Sequence, residues 1–489
     1  MSLLAALAVM LCTAMVLIVW SVMGGFLTMF LQSGKTLIGD VSISYPNSGF
    51  AYYDDLVKRL EADPMVAAAA PIIESFGLLQ LPKSGAPENV MVWGVDGPSL
   101  DRVVKYSDSL WWKPMDKPID TDRKKVDPRL NTKWHETLAA HAQQGRTLTA
   151  PRDDQGRDMK AAIVTGVMVG GYNERLRGGV LDPFFYLPGN KATISVAPLD
   201  GKGQPLPLQS RILPIANQFE TGLFDLDDKL TMIRIDELQR MLYMDEAERI
   251  QRDAAGNVVT KPDPVTGEPK PVKVPSPARV TTVLVKAKPG IDELELQERC
   301  REIYFEFAKA HADQVSPPST DRNLRVSTWK DRNRTMIGAI EKEIALTLVL
   351  FGIISVTAVF LVLAIFWAMV SEKTKDIGVL RAIGASRSGV AGLWLAYGLA
   401  IGIVGSLLGG VAAILIVNNI NPIHEWLGRR FDLVVWDPAV YYFTTIPHHI
   451  DPTRATIVLV GGVLSSVFGA FIPALKAARM DPVRSLRFE

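Results

Sequence analysis

The stretch from Ser371 to Arg387, SEKTKDIGVLRAIGASR, is short, charged and helix-prone, and it lies between two long runs that carry no charged side chain. One run extends from Ile344 to Val370 and the other from Ser388 to Asn421. Each exceeds the roughly 20 apolar residues with which a helix crosses a hydrocarbon core of about 30 Å. A chain with this pattern must turn round at a membrane surface within a loop too short to hold a domain. Such a loop can still offer a small rigid surface to a partner on one side of the membrane. The pattern points to a membrane subunit driven from outside itself and away from a self-contained enzyme.

Four spans emerge: Leu3 to Leu31, Ile344 to Val370, Ser388 to Val417 and Ala455 to Leu475. The rest is charged and proline-rich, as in a soluble protein. The net charge of +1 and the lack of a long basic run give no pointer to nucleic acid. Met1 to Gly34 has no charged side chain. Without a basic n-region, and with an apolar stretch this long, it reads as an uncleaved first span and not as a signal peptide. The two cysteines, Cys12 in an apolar run and Cys300 in a soluble segment, read as isolated thiols.

Lys and Arg set the orientation. Lys373, Lys375, Arg381 and Arg387 lie in the loop after the second span, and Lys476, Arg479, Arg484 and Arg487 follow the fourth. The turn between the third and fourth spans carries only Arg429 and Arg430, with Trp426, Trp436, Tyr441 and Tyr442 suited to a membrane interface. The positive-inside rule puts the 371–387 loop and the C-terminus in the cytoplasm and the large segment outside. The expected fold is an α-helical membrane protein with four transmembrane helices and a large α/β extracytoplasmic domain inserted between helices 1 and 2. The divisions are 1–34 (helix 1), 35–328 (outer domain), 329–370 (stalk and helix 2), 371–387 (cytoplasmic loop), 388–417 (helix 3), 418–454 (outer loop), 455–475 (helix 4) and 476–489 (cytoplasmic tail).

Within the outer domain, Tyr52–Leu60 reads as a helix start, and Ile72–Leu81 and Val90–Val95 as strands. Val280–Ala287 reads as a strand, Ile291–Ala310 as an amphipathic helix and Leu324–Thr328 as a short strand. These flanking parts pair into one α/β subdomain, leaving Pro98–Val274 as a second, more irregular one. Lys113–Lys133 and Asp245–Pro277 are polar enough to read as mobile loops. Thr328 to Glu343 leads into the second span with no proline, which predicts a helical stalk.

Several local patterns bear on function. Gly398/Gly402 and Gly405/Gly409 are small-xxx-small pairs, a helix-packing or dimer face if they exceed the ordinary glycine content of membrane helices. In the charged loop, Ile377, Leu380 and Ile383 fall near one face of a short helix, with Asp376 at its start and Gly384 suited to end it. This is either a docking helix or a solvated turn resting on lipid. Adjacent histidines such as His448–His449 point in different directions and read as a polar loop, not a metal site. No GxxxxGK[ST] phosphate loop is present: Gly34-Lys35-Thr36 is a fragment, with Met29 where the first glycine belongs. No hydrolase-type nucleophile motif stands out.

SEKTKDIGVLRAIGAS, with the glycine-rich span after it, resembles the FtsX/MacB-type family of ABC transporter permeases. The closing IPALKAARMDPVRSLRFE (Ile472–Glu489) resembles the same family's closing segment, and within that family the chain as a whole resembles the LolC/LolE lipoprotein-releasing permeases. VWSVMGGF (Val19–Phe26), STWKDRNRTMIGAIEKE (Ser327–Glu343) and WDPAVYYFTTIPHHI (Trp436–Ile450) resemble those permeases' first span, entry to the second span and last outward loop. One departure is the apolar start, where relatives carry a polar, basic segment.

The resemblance implies a non-catalytic permease in the bacterial inner membrane with its large domain in the periplasm. It would work as a mechanical lever, coupling ATP hydrolysis by a separate ATPase to extraction of lipoproteins or a similar amphiphile from the outer leaflet. ATP and Mg would be bound by that partner, with no cofactor in this chain. A second permease copy or paralogue completes the assembly, with a periplasmic carrier or adaptor as a further partner. The coupling helix would run from about Lys375 to Ile383, with Glu372, Lys375, Asp376, Ile377, Leu380, Arg381 and Ile383 meeting the ATPase. Met23, Phe26, Met29 and Phe30 are candidate acyl-chain contacts, or simply face lipid. The same layout fits an FtsX-like non-transporting regulator of an extracytoplasmic protein, or a MacB-like efflux permease.

Overall fold

The computed structural model describes residues 2–486, except 34–36, 38, 47–48, 83–85, 116–131, 150–160, 171–172, 176–180, 184–187, 200–202, 222–223, 252–256, 263–267, 313, 315–323, 432 and 434–445. Helix α1 (Ser2–Ser33) leads into a sheet domain. Its helices are α2 (Tyr53–Ala62), α3 (Gly97–Val104), α4 (His135–Thr147), α5 (Phe224–Lys229), α6 (Ile235–Met241) and α7 (Glu293–Ala310). The chain then runs through α8 (Trp329–Arg332), α9 (Arg334–Glu372), α10 (Thr374–Ala382), α11 (Arg387–Asn418), α12 (Ile420–Phe431), α13 (Pro452–Ala478) and α14 (Pro482–Leu486). Among the described residues, four helices are long and apolar enough to cross a membrane: α1, α9, α11 and α13. They close into a ring in which α11 touches α1 and α13, and α9 touches α13 and α1.

The main sheet has nine strands among the described residues: β1 (Val41–Ser44), β2 (Val66–Gln80), β3 (Glu88–Val95), β4 (Ile163–Gly166), β5 (Lys191–Val196), β6 (Gln209–Phe219), β7 (Leu230–Arg234), β8 (Thr282–Ala287) and β9 (Arg325–Thr328). Their order is β9-β1-β8-β2-β3-β7-β4-β6-β5, and β2 also pairs with β5. Only β3–β7 and β4–β6 are parallel among these pairs. The register sets Ile43 between Val283 and Val326.

Alternation along the strands divides the sheet into two apolar faces. Ala69 and Ile73 of β2, Val92 of β3 and Val285 of β8 turn to one side, where Leu56 and Leu60 of α2 and Leu296, Ile303 and Phe307 of α7 cover them. Ala68, Ala70 and Ile72 of β2 turn to the other, under Leu100 and Val103 of α3. Helix α7 forms because its apolar residues recur at three and four positions and Asp292 caps it, accepting from the Leu294 N–H at 3.1 Å. Cys300 lies in that core, where burial and the nearby Asp63 charge push its thiol up to about 12, an inert group at neutral pH.

Two expectations change. The segment 98–274 does not stand apart: β4, β5, β6 and β7 lie inside it and join the sheet made by the flanking parts. Strands at a sheet edge expose unpaired backbone groups, and continuing the ladder satisfies them. Asp245–Pro277, read as a mobile loop, is a paired ribbon in its described part, Ala247–Ile250 against Lys273–Ser276 and Thr260–Pro262 against Pro269–Pro271. Its prolines sit on a ribbon two strands wide, where half the backbone groups need no partner. Most of Lys113–Lys133 lies outside the described residues.

An ion pair fastens α2 to α7. Asp63, just after α2, accepts from the Met65 N–H at 2.9 Å and from Arg299 Nε at 2.7 Å. Burial opposes its charge, but the Met65 N–H and the Arg299 guanidinium outweigh it and hold the carboxyl below the usual carboxylate range. The fold therefore binds this proton less readily than the unfolded chain. The resulting stability is complete at neutral pH and is lost as pH falls through the folded-state value. Asp63→Asn should cost about 1.5–3 kcal/mol at pH 7 and far less in acid; urea melts at the two pH values check this, and equal losses would refute it.

Candidate coupling surfaces at the two ends of the bundle

Away from the sheet domain, the chain turns from α9 to α11 through α10. Lys373 Nζ lies 3.1 Å from Asp376 Oδ2 at the start of α10. Gly384 follows its end with φ +109°, a left-handed conformation that costs glycine least. The Ala385 N–H then bonds to the Leu380 carbonyl at 3.0 Å. Ser386 caps α11, its hydroxyl accepting from the Gly389 N–H at 3.0 Å.

The three apolar residues expected on one face of α10 separate. Ile377 is 3% exposed and packs with Phe366, Met369, Val390, Trp394 and Ala477. Leu380 is 46% and Ile383 79% exposed. At roughly 100° per residue the three spread over a third of a turn, so only Ile377 can point down into the bundle. Glu372, Lys375 and Asp376 are exposed. Arg381 donates from Nη1 to the Ala385 carbonyl at 2.9 Å, and its Nε is buried without a partner among the described residues. It braces the reversal as well as edging the surface. Helix α14 packs beside α10 and adds an exposed Val483, which with Val379 the sequence reading missed. The signal was the tail's own DPVRSL, where the Asp481 carboxylate accepts from the Val483 N–H at 2.9 Å and starts a helix.

In the bundle, the glycines of α11 meet two different neighbours. A Cβ on Gly398 would stand 2.6 Å from Ala470 Cβ, and one on Gly402 2.9 Å from Ser466 Cβ, both on α13. On Gly409 it would stand 2.6 Å from the Met10 carbonyl oxygen, and on Gly405 2.9 Å from that of Ala6, both on α1. The Ser466 hydroxyl donates to the Gly398 carbonyl at 2.8 Å across the α11–α13 contact. A side chain on Gly409 meets backbone, which cannot swing aside. Gly409→Leu should part α1 from α11 and lower the thermal midpoint of the detergent-purified protein by several degrees, whereas Gly392→Leu, with open space around it, should leave it unchanged.

At the sheet-domain end, Thr328 and Asp331 form a capping box that starts α8, and Trp329, 1% exposed, is buried beside Ile72, Leu100 and Ile340. Phe26 and Met29 of α1 pack on the same cluster, so both contribute to the joint between bundle and sheet domain. Met23 is half-buried, and the Phe30 side chain lies outside the described residues. Arg332 Nη2 lies 2.7 Å from Glu74 Oε1 on β2, and the Thr282 hydroxyl donates to the other Glu74 oxygen at 2.8 Å. This pair ties the end of α8, just ahead of the long helix, to the middle of the sheet. Arg332→Glu should loosen the joint by about 1 kcal/mol, and the double variant Glu74→Arg/Arg332→Glu should recover part of it; a double-mutant cycle on the melting of the full chain measures the coupling.

The segment 446–449 crosses the same end of α1. The His449 N–H donates to the Ser21 carbonyl at 2.9 Å, and a Cβ on Gly25 would collide with the His448 backbone. The motifs at Val19–Phe26 and Trp436–Ile450 thus meet in their described parts. Among the described residues no group of His, Cys, Asp and Glu is arranged to hold a metal ion. Gly34-Lys35-Thr36, Trp436, Tyr441 and Tyr442 lie outside the described residues.

Residues 348–482 match the FtsX-like permease C-terminal family. The lipoprotein-releasing system transmembrane protein LolC of Xylella fastidiosa (strain 9a5c) is 26% identical over 164 residues, 34% of this chain and 40% of that protein. The LolC protein of Neisseria meningitidis serogroup B is 22% identical over 338 residues, 69% of this chain and 70% of that protein. The crystal structure of the periplasmic region of MacB from Actinobacillus actinomycetemcomitans aligns with 62% of this chain and 95% of its own, at a TM-score of 0.26 and 8% identity.

Proposed function

We propose that the chain is a permease of the FtsX/MacB type, the membrane subunit of an ABC transporter that extracts lipoproteins, or a similar amphiphile, from the outer leaflet of the bacterial inner membrane. The observation that carries this reading is α9. One unbroken helix of 39 residues runs from Arg334 to the α10 corner, and the short α8 that carries Trp329 leads straight into it, the Asn333 N–H donating to the Trp329 carbonyl at 3.2 Å and the Ile337 N–H to the Asn333 carbonyl at 2.9 Å. A push at α10 therefore reaches the sheet domain without crossing a flexible linker. The similarity to LolC proteins supports the choice of a lipoprotein over other cargoes.

In this reading a separate ATPase subunit binds ATP and Mg, closes on binding them and reopens after hydrolysis. It grips the exposed surface of Glu372, Lys375, Asp376, Leu380 and Ile383, and Ile377 passes the movement into the bundle. Only a surface that the partner contacts differently in its two states can drive such a shift. The sheet domain, facing the periplasm, moves with α9 and releases the cargo to a carrier or adaptor there. A second permease copy or paralogue completes the assembly.

The test is ATP hydrolysis by the complex in nanodiscs, with the ATPase identified by co-purification, with and without a triacylated lipoprotein. Lipoprotein should raise hydrolysis and appear in the soluble fraction. A stable ATPase complex that ignores lipoprotein would refute the cargo. Asp376→Arg should weaken the ATPase contact about tenfold, roughly 1.4 kcal/mol, and abolish the stimulation while the sheet domain melts as before. Unchanged stimulation would refute the docking assignment.

A further inference from the structure

Among the described residues, helix α12 is an amphipathic element that the transport reading leaves without a role. It begins two residues after α11 ends, so it lies at the level where a span leaves the hydrocarbon. His424 and Gly428 are buried, which fixes the side turned to the protein. At roughly 100° per residue, Ile423, Trp426, Leu427 and Arg430 share one arc and Glu425 lies opposite. Trp426 is 59% and Phe431 58% exposed, and their rings meet edge to face at 5.6 Å. Leu408, Val411 and Leu415, on the last turns of α11 before α12 begins, are likewise exposed and apolar.

We propose that α12 lies in the plane of the lipid interface at the sheet-domain end, with Ile423, Trp426 and Phe431 at the boundary between headgroups and acyl chains. The occupant of its exposed face is a phospholipid surface. Arg430 selects lipid over a second protein chain: in a dry interface a guanidinium inside an apolar arc demands a carboxylate, whereas at a membrane it reaches up to phosphate groups. Tryptophan suits that level, its ring apolar and its N–H wet.

The anchor reaches α1. Asn421 Nδ2 donates to the Ile446 carbonyl at 3.2 Å, and the Ile446 N–H donates to Asn421 Oδ1 at 2.8 Å. Ile446 begins the segment whose His448 and His449 backbone is laid against Ser21 and Gly25 of α1. The interface thereby holds the outer end of α1 beside α12 and α13. This placement rests on the four membrane spans and on no choice of cargo.

The experiment is spin labelling of the full chain in nanodiscs of phosphatidylethanolamine and phosphatidylglycerol. Labels go at Trp426→Cys, Phe431→Cys and Glu425→Cys, with Cys12 and Cys300 replaced by alanine. Oxygen, which partitions into lipid, should relax the labels at 426 and 431 more than a water-soluble nickel chelate does, and the preference should invert at 425. Labels at 426 and 431 that the chelate reaches as readily as 425, or that both reagents fail to reach, overturn the proposal. A second measurement keeps the native cysteines: Trp426→Phe should shrink the fraction of tryptophan emission quenched by bromolipids, and an unchanged fraction also overturns it.

Discussion

Trp329 is buried where the sheet domain meets the longest helix of the bundle, and Thr328 caps the turn that carries it. The indole fills the cluster formed by Ile72, Leu100 and Ile340, while Phe26 and Met29 approach from α1. A large aromatic in such a place contributes several kcal/mol by excluding water. The backbone agrees with the packing, since the Trp329 N–H donates to the Asp40 carbonyl at 3.2 Å and the Asn333 side chain donates back to the Trp329 carbonyl at 3.1 Å. The sheet domain and α9 are joined by apolar packing, a cap and the Glu74–Arg332 pair together. A lever built from α9 needs such a joint, because a helix transmits force along its axis only if its end is held.

The bundle itself meets a different constraint. Lipid tails are as apolar as leucine, so helices gain little there from the hydrophobic effect. What holds α11 between α1 and α13 is close approach. Gly398 and Gly402 admit α13, and Gly405 and Gly409 admit α1. The two pairs lie on one side of α11 yet serve two neighbours, because seven positions along a helix bring it nearly round to the same side but shift the contact by about 10 Å along the axis, to the level where α1 takes over from α13. The Ser466 to Gly398 bond adds polar contact where backbones nearly touch. Helix α9 approaches α13 as closely, a Cβ on Gly469 standing 2.9 Å from the Val359 carbonyl oxygen, but most of its surface is open, which suits the moving element of the proposed lever.

Much of the membrane half was legible in the sequence because charge is scarce there and its absence is easy to read. The four spans need only length and apolarity, and Gly384 ends a short helix by its own conformational freedom. The sheet domain was legible where apolar runs rich in β-branched residues are long enough to read as strands, as in β3 and β8. It was not legible in its middle: short strands such as β4 and β7 carry too few residues to declare a period, and only their pairing with distant partners makes them strands. The prolines of the 245–277 ribbon argued against any strand until a second strand was there to accept the pairing. Helix α12 was hidden in what read as an aromatic turn, since its faces are defined by what lies beside it.

The candidate surfaces divide in the same way. The sequence by itself determined that a charged turn between two charge-free runs must sit at a membrane surface, and that Glu372, Lys375 and Asp376 would be exposed there, because desolvating isolated charges is too costly. Only the tertiary structure decided that Ile377 belongs to the bundle while Leu380 and Ile383 belong to the surface. It also decided that Arg381 spends one nitrogen on the reversal at Ala385, and that the tail returns as α14 beside α10. The physical reason is that local sequence fixes which side chains share a helix, whereas the burial of each one depends on the angle at which that helix meets its neighbours.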